Sequence, residues 1–317
     1  MTHLLSPSNC TQLVFSSISN FPRFEAALLI KTNLRRNLTQ VRLPKMDSLV
    51  IIKYGGGLIT FKDKVCEANY EAIQGLNEAI QSLVQNNYKV IIVHGAGGFG
   101  HIKAKKWKLH LGLQSGLEGQ SEAVEAVRND MKALSSILTS NLDSCHIFHP
   151  HQCQFKGTRY PHLQCDLQDI FGALQRNHIP VLHGDVVKVE NVKQQFGILS
   201  GDDICVKLVE EAYQKYKVHM IFAMTGAEGV MDLPPTHPNS QLIPQWHPNI
   251  EPMPILHHNQ EIDVTGGIRL KLEACTQIAK YIDNTWILNG HWPKRILEAV
   301  MEAKTIGTSI FNKIQNT

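Results

Sequence analysis

Lys53 stands at the end of an apolar run, Leu49-Val50-Ile51-Ile52, just before three consecutive glycines, Gly55, Gly56 and Gly57. A second apolar run, Ile91-Ile92-Val93, leads into His94-Gly95-Ala96-Gly97-Gly98-Phe99-Gly100-His101. Glycine lets backbone N–H groups approach anionic oxygens closely, and a helix that starts in such a turn adds the positive end of its dipole. A lysine at the entrance adds a full charge. These residue types in this order suit phosphate binding. Two such turns suit two phosphate-bearing ligands held at the same edge of one sheet. A third element, Asp263-Val264-Thr265-Gly266-Gly267-Ile268-Arg269-Leu270-Lys271, opens a helix with Thr265 or Asp263 as its cap. Lys271 falls one turn after Gly267, on the same face, within reach of a phosphate at that helix end. None of the three is a Walker A loop, because no G-x-x-x-x-G-K-[ST] is present. The first turn is no dinucleotide fingerprint either, since it lacks the G-x-G-x-x-G spacing.

The elements that must carry these turns are legible from periodicity. Strands are expected at 48–54, 89–93, 145–148, 179–183, 218–224, 284–289 and 306–311, with a hairpin formed by 184–189 and 195–199. Helices are expected at about 65–86, from near Phe99, at 120–140, 167–177, 203–216, 267–281 and 292–303. Ser200-Gly201-Asp202-Asp203 reads as an N-cap. Residues 226–262, rich in Pro, His and Asn, read as a long loop. Alternating strands and helices predict an α/β fold, an αβα sandwich with a mostly parallel central sheet. In such folds ligands bind beyond the carboxyl ends of the strands. The glycine turns, Gly184-Asp185, Ser200-Gly201 and Thr225-Gly226 are therefore expected along one edge.

Composition narrows the function classes. The 317 residues carry a net charge of +3, with 43% hydrophobic and 19% charged residues. That is an ordinary globular balance, with no basic stripe for nucleic acid and no apolar run long enough for a membrane span. The 7 cysteines form no C-x-x-C pair, which points to free thiols in a reducing compartment. The 16 histidines, including His149/His151 and His257/His258, lack metal-ligand spacings, so no metal-binding residues are expected. Residues 1–46 read as an N-terminal extension, and 47–317 as the folded domain. Within the extension, Arg23, Lys31, Arg35, Arg36, Arg42 and Lys45 face a single acid, Glu25. Two readings stand there. One is a transit-like segment, which implies an organelle; the other is a poorly defined extension before an internal start at Met46, which implies the cytoplasm.

Taken together, Lys53-Tyr-Gly-Gly-Gly-Leu-Ile-Thr60, Gly95-Ala-Gly-Gly-Phe-Gly-His101, Ser200-Gly-Asp-Asp203 and Asp263-Val-Thr-Gly-Gly-x-x-x-Lys271 resemble the amino acid kinase superfamily. The resemblance spans about 47–311. The G-x-G-x-F-G-H turn, followed by Ala104-Lys105-Lys106, looks most like the isopentenyl phosphate kinase branch, where the histidine marks a phosphate acceptor. The resemblance implies an ATP- and magnesium-dependent kinase that converts isopentenyl phosphate to isopentenyl diphosphate, and a homodimer. It implies that Lys53 and Lys271 clamp the ATP β/γ-phosphates. Gly55, Gly56, Gly57 and Gly97 would supply amide donors, with Gly267 at a helix start. Lys62 would stabilise the transferring phosphoryl group. His101 would bind the acceptor phosphate, with Ala96 and Gly201 lining its site. The apolar helices after residue 101 would wall the isoprenoid tail.

Three positions depart from the family pattern. Gly57 replaces a serine, Thr225-Gly226-Ala227-Glu228-Gly229-Val230 replaces T-D-V-D-G-V beside the nucleotide, and Arg269 adds a cation near the phosphate helix. The alternatives are a related small-molecule kinase of the fosfomycin or acetylglutamate type, or a non-catalytic nucleotide-binding regulatory protein.

Overall fold

A computed structural model describes residues 46–61, 63–248, 251, 253 and 267–312. The four strands at its centre are β1 (Ser48–Tyr54), β2 (Lys89–His94), β4 (Ile179–His183) and β7 (Lys217–Met224). They pair in parallel, with β1 between β2 and β7. Toward one edge β4 is followed by β3 (Cys145–Ile147). Toward the other, β7 is followed by β9 (Thr285–Asn289), β10 (Thr308–Ile310) and β8 (Gln245–Trp246). Among the described residues of this sheet, only the β9–β10 pair is antiparallel. A separate antiparallel hairpin, β5 (Asp185–Lys188) with β6 (Phe196–Leu199), rises from the end of β4.

Both faces of the sheet are covered, which is why its strands read as continuous apolar runs. Side chains alternate between faces. Leu49, Ile51, Ile91 and Val93 join one core, with α5 (Gln168–Gln175), α6 (Gly201–Ala212) and α7 (Gly267–Ile278). Val50, Ile52, Val90 and Ile92 join the other, with α2 (Tyr70–Gln85), α4 (Gln120–Thr139) and α8 (Lys294–Leu297). This parity decides where the chemistry points. Lys53 continues the Leu49–Ile51 face toward α6 and α7, whereas His94 continues the Val90–Ile92 face toward α4.

The expected αβα sandwich is present, and its departures from the sequence expectation are local. The helix expected from 65 begins at Tyr70, because the Asn69 side chain accepts from Ala72 N–H and Ala68 bridges to Thr60. The helix after Ser200 begins at Gly201, two residues earlier than expected, with the Ser200 hydroxyl accepting from Asp202 N–H. The helix expected at 292–303 is one α-turn followed by a π-turn, Glu298–Glu302. The 226–262 loop contains β8 and a Met231–Leu242 bridge.

Beside β8 and a 3-10 turn at Leu109–Leu111, one further unexpected element shapes the cleft. A single helical turn, α1 (Gly56–Ile59), follows the first glycine turn, anchored by fully buried Leu58 and Ile59. It presses directly on α3 (Gly97–Lys106), which starts in the second turn. A Cβ on Gly56 would lie 2.3 Å from Gly97 N, and one on Gly95 would lie 2.6 Å from Gly56 N. Gly97 itself has φ +47, and a Cβ there would lie 1.9 Å from Thr60 Oγ1. The two turns are packed backbone to backbone. Thr60 stitches them: its hydroxyl donates to Gly56 O (2.8 Å) and accepts from Gly98 N–H (2.9 Å). Thr60→Val keeps the shape but strands a buried N–H. We expect it to lower the unfolding free energy in urea by about 1–3 kcal/mol. An unchanged midpoint and slope would show that the stitch is dispensable.

Candidate active site

The carboxyl ends of β4, β2, β1 and β7 deliver Gly184, Gly95, Gly55 and Thr225, in that order, to one cleft of about 1470 Å³. That exceeds the roughly 300–1,000 Å³ of a pocket for one small ligand. At the β2/β4 end the wall is apolar, built from Ala104, Val127, Met131, Val186 and Ile198. At the β7 end it carries Thr225, Gly226, Met231 and Pro234. The polar centre lies between them.

That centre is a buried charge triad. Lys53 Nζ lies 2.8 Å from Asp202 Oδ1, and Lys271 Nζ lies 3.5 Å from Asp202 Oδ2. Lys53 comes from the end of β1, Asp202 from the first turn of α6, and Lys271 from the second turn of α7. The Lys271 ammonium also sits 4.9 Å above the Phe222 ring, a cation–π contact. Gly201 at the start of α6 packs closely on β2, where a Cβ would meet the Val93 side chain at 3.2 Å and would be in ordinary contact with the Lys53 stem.

Burial opposes all three charges. For Lys53, Asp202 outweighs burial and the pKa rises. For Lys271, burial and repulsion from Lys53 outweigh Asp202 and the pKa falls. For Asp202, burial alone would raise the carboxyl, but Lys271 and Lys53 pull it from 3.8 to about 2. Two ammonium groups on one carboxylate leave a net positive charge facing the cleft, which an anion can neutralise.

The structure brings Lys53, Gly55, Gly56, Gly57, Ala96, Gly97, His101, Gly201, Gly267 and Lys271 to the wall of this one cleft. Lys62 and the Asp263–Gly266 stretch lie outside the described residues. Gly56 and Gly57 open α1, so the helix itself does not use their N–H groups. The Gly55 N–H is spent on Ala223 O at 2.8 Å. Gly55 therefore fits the cleft through its small size, and the expected amide donation by this residue does not match the geometry. His101 is half-buried at the start of the second turn of α3. Arg269 is exposed and pairs with Glu273, one turn along its own helix. In the altered loop, Glu228 pairs with Arg295, and Thr225 Oγ1 lies 2.9 Å from His291 Nε2.

Asp202 was visible in the sequence only as part of a helix cap. The signal that singles it out is the need of two lysines, converging on one site, for a shared counter-charge. Asp185 also reaches the cleft wall. Its Oδ2 accepts from His151 N–H (2.9 Å) and lies 2.6 Å from His151 Nδ1, while Oδ1 accepts from Val186 N–H (2.8 Å). Burial would raise this carboxyl, but His151 and His183 bring it below its usual value. Among the described residues no group of three His, Cys, Asp or Glu side chains is arranged to hold a metal. No helix among them is long and apolar enough to cross a membrane.

Comparison with known proteins places this geometry in context. The sequence pattern of the amino acid kinase family matches residues 48–289. Isopentenyl phosphate kinase of Methanocaldococcus jannaschii is 28% identical over 276 residues, covering 83% of this chain and 98% of the relative. The enzyme of that name from Thermoplasma acidophilum is 28% identical over 270 residues, covering 83% and 100%. The crystal structure of the T. acidophilum isopentenyl phosphate kinase product complex superposes with a TM-score of 0.65 at 23% identity, covering 83% of this chain and 100% of that one. Carbamate kinase from Giardia lamblia bound to AMP-PNP shares the fold more distantly, with a TM-score of 0.52 at 11% identity over 84% and 99% of the two chains.

Asp202→Asn leaves two buried ammonium groups without a counter-charge. At neutral pH we expect it to destabilise the fold by about 3–5 kcal/mol. A carboxyl whose folded pKa lies below its unfolded one contributes fully above the unfolded value. That contribution is lost as the pH falls through about 2. The gap between the two proteins should therefore close in urea titrations between pH 4 and pH 2. A gap that is constant with pH would refute the charge assignment.

Proposed function

Because the chain belongs to the amino acid kinase family, we propose that it transfers the γ-phosphoryl group of ATP to isopentenyl phosphate, yielding isopentenyl diphosphate and ADP for isoprenoid synthesis. The observation that carries this is the position of the Lys53–Asp202–Lys271 triad. It sits between an apolar pocket next to His101 and a second arm of the same cleft at Thr225. One arm suits a short hydrocarbon tail, the other a nucleoside, and the net positive centre suits the phosphates of both. The similarity to isopentenyl phosphate kinases over most of the chain supports the choice of acceptor.

The chemistry asks little covalent help of the protein. An oxygen of the acceptor phosphate attacks the γ-phosphorus in line, and the bond to the β–γ bridging oxygen breaks as ADP leaves. The acceptor oxygen already carries negative charge near neutral pH, so no strong general base is required. Two anions must instead be brought together and screened. Lys53 and Lys271 neutralise charge on the β- and γ-phosphates. The N–H groups of Gly56 and Gly57, with Gly97 and Gly267 at the starts of α3 and α7, face the same phosphates. Lys62, assigned by family resemblance, stabilises the moving phosphoryl group. His101 donates to the acceptor phosphate, with Ala96 and Gly201 lining its site.

Magnesium, when bound with the triphosphate, neutralises part of its charge. Asp185 and Asp202, two carboxylates on the cleft wall, are already engaged by histidine and lysine. The ion therefore fits as one carried in by the triphosphate rather than held in a protein cage. A homodimer in the cytoplasm belongs to the same proposal.

ADP release from ATP, magnesium and isopentenyl phosphate, with the product identified by mass, tests the reaction directly. Formation of the diphosphate is expected. His101→Ala should lower kcat/KM for isopentenyl phosphate by roughly 10²–10³-fold, as for loss of a preorganised donor to a charged group. An unchanged value would remove His101 from the acceptor site.

A further inference from the structure

Behind the β2/β4 end of the cleft lies a set of histidines that the phosphoryl-transfer chemistry does not use. His94 and His183 are the last residues of β2 and β4, are paired in register, and are fully buried, with ring centroids 5.4 Å apart. Each makes the same contact. His94 Nδ1 lies 3.1 Å from the oxygen of Gly95, and His183 Nδ1 lies 2.9 Å from the oxygen of Gly184. A carbonyl oxygen only accepts, so in both rings Nδ1 carries the proton. In a neutral ring the other nitrogen must then accept. Ser135 Oγ stands 2.8 Å from His94 Nε2, and His149 Nδ1 stands 2.9 Å from His183 Nε2. His149 can donate, whereas the Ser135 hydroxyl also lies 2.9 Å from Met131 O and has one proton for that carbonyl and the ring. The tautomers of three rings follow from this pattern of contacts alone.

The neutral state is enforced by the surroundings. Burial comes first. For His94 it acts with His183, His149 and Lys53 against a proton, and the pKa falls to about 3. For His183 the nearby Asp185 resists, while His151 and Lys132 add to burial, and the pKa falls. For His149 burial, His183, His151 and Lys132 outweigh Asp185, and the pKa falls to about 4.

We propose that His94 and His183 are positioning residues for the acceptor site, each fixing the peptide plane of the glycine turn that follows its strand. The ring N–H ties down the carbonyl oxygen of Gly95 or Gly184, both of which adjoin the cleft. In a trans peptide the C=O and N–H point in opposite directions. The Ala96 N–H therefore points away from the His94 ring. Two negative dipole ends are thus held on the protein side, where they do not repel a bound phosphate. A further bond, Gly184 N–H to His94 O at 3.1 Å, locks the two turns together. Ser135 and His149 act one step further out, by holding the tautomer. This deepens the kinase proposal and rests on it for the identity of the acceptor.

Asparagine places its amide nitrogen near the position of Nδ1, and glutamine places its own near Nε2, so the two separate the tautomers chemically. In the full-length chain, His183→Asn should keep KM for isopentenyl phosphate within about threefold. His183→Gln and His183→Leu should raise it roughly tenfold or more, the effect of losing one hydrogen bond to a buried group. KM for ATP should move by less than about threefold in all of them, because the Gly184 turn that His183 holds is separated from the nucleotide arm at Thr225 by β2 and β1. Equal effects of Asn and Leu, or equal changes for both substrates, overturn the proposal.

Nitrogen NMR of the histidine-labelled, unaltered chain without substrate should show His94 and His183 as neutral rings protonated at Nδ1. Protonation at Nε2 overturns the proposal whatever the enzyme turns over. Absence of turnover with the expected tautomers would count against the kinase assignment alone. Should the His183 variants not fold, Ser135→Ala and His149→Phe remove only the Nε2 partners. They should give mixed tautomers in the same spectra, and unchanged tautomers in both would overturn the role given to the pair.

Discussion

The rest of the cleft depends on one arrangement: two buried ammonium groups sharing the Asp202 carboxylate. Lys53 and Lys271 arrive from a strand and a helix more than two hundred residues apart in sequence, and their direct repulsion would splay those elements. A carboxylate between them attracts both and offsets part of that repulsion. It does so without cancelling the positive charge, because one anion cannot neutralise two cations. The result is a rigid, net cationic centre in a low-dielectric wall, where each unit of charge acts more strongly than it would in water. An anion entering the cleft completes the charge balance that folding leaves open.

The geometry around that centre is set by backbone contact. Gly56 and Gly97 touch at distances no side chain would permit, and the Thr60 hydroxyl joins their turns from beneath. Glycine in these turns thus has two separate uses. At Gly56 and Gly57 it leaves N–H groups at a helix start. At Gly55, Gly97 and Gly201 it allows elements to approach: the Gly55 amide is already committed to β7, Gly97 takes a left-handed conformation, and Gly201 sets α6 close on Val93 of β2. A motif read only as a phosphate cradle conceals this packing role.

The histidines at the ends of β2 and β4 add a third layer. They are neutral because they are buried, and their protons are placed because the glycine carbonyls they face can only accept. Charge at the centre, backbone contact at the turns and fixed tautomers behind them all act on the same sheet edge. Each reaches it from a different face or element, and this is why none substitutes for another.

The sequence by itself determined the architecture and most of the cleft wall. Strands covered on both faces must be apolar throughout, so β1, β2, β4 and β7 could be read as runs that stop at glycine. A parallel sheet brings such strand ends to one edge, so the turns could be gathered without coordinates. Lys53 and Lys271 were legible because strand parity and helical spacing are local rules. Tertiary structure decided what depends on partners from elsewhere in the chain. The one-turn helix α1 is poor in helix formers and exists because Leu58 and Ile59 are buried. Asp202 looked like a capping residue until α6 was set against β1 and α7. Gly55 looked like an amide donor to a ligand until Ala223 O of β7 was found accepting its N–H. His94 and His183 looked like ordinary strand ends until Ser135 and His149 supplied their second contacts. Local periodicity fixes the direction in which a side chain leaves the backbone, but only the packed fold fixes what it meets.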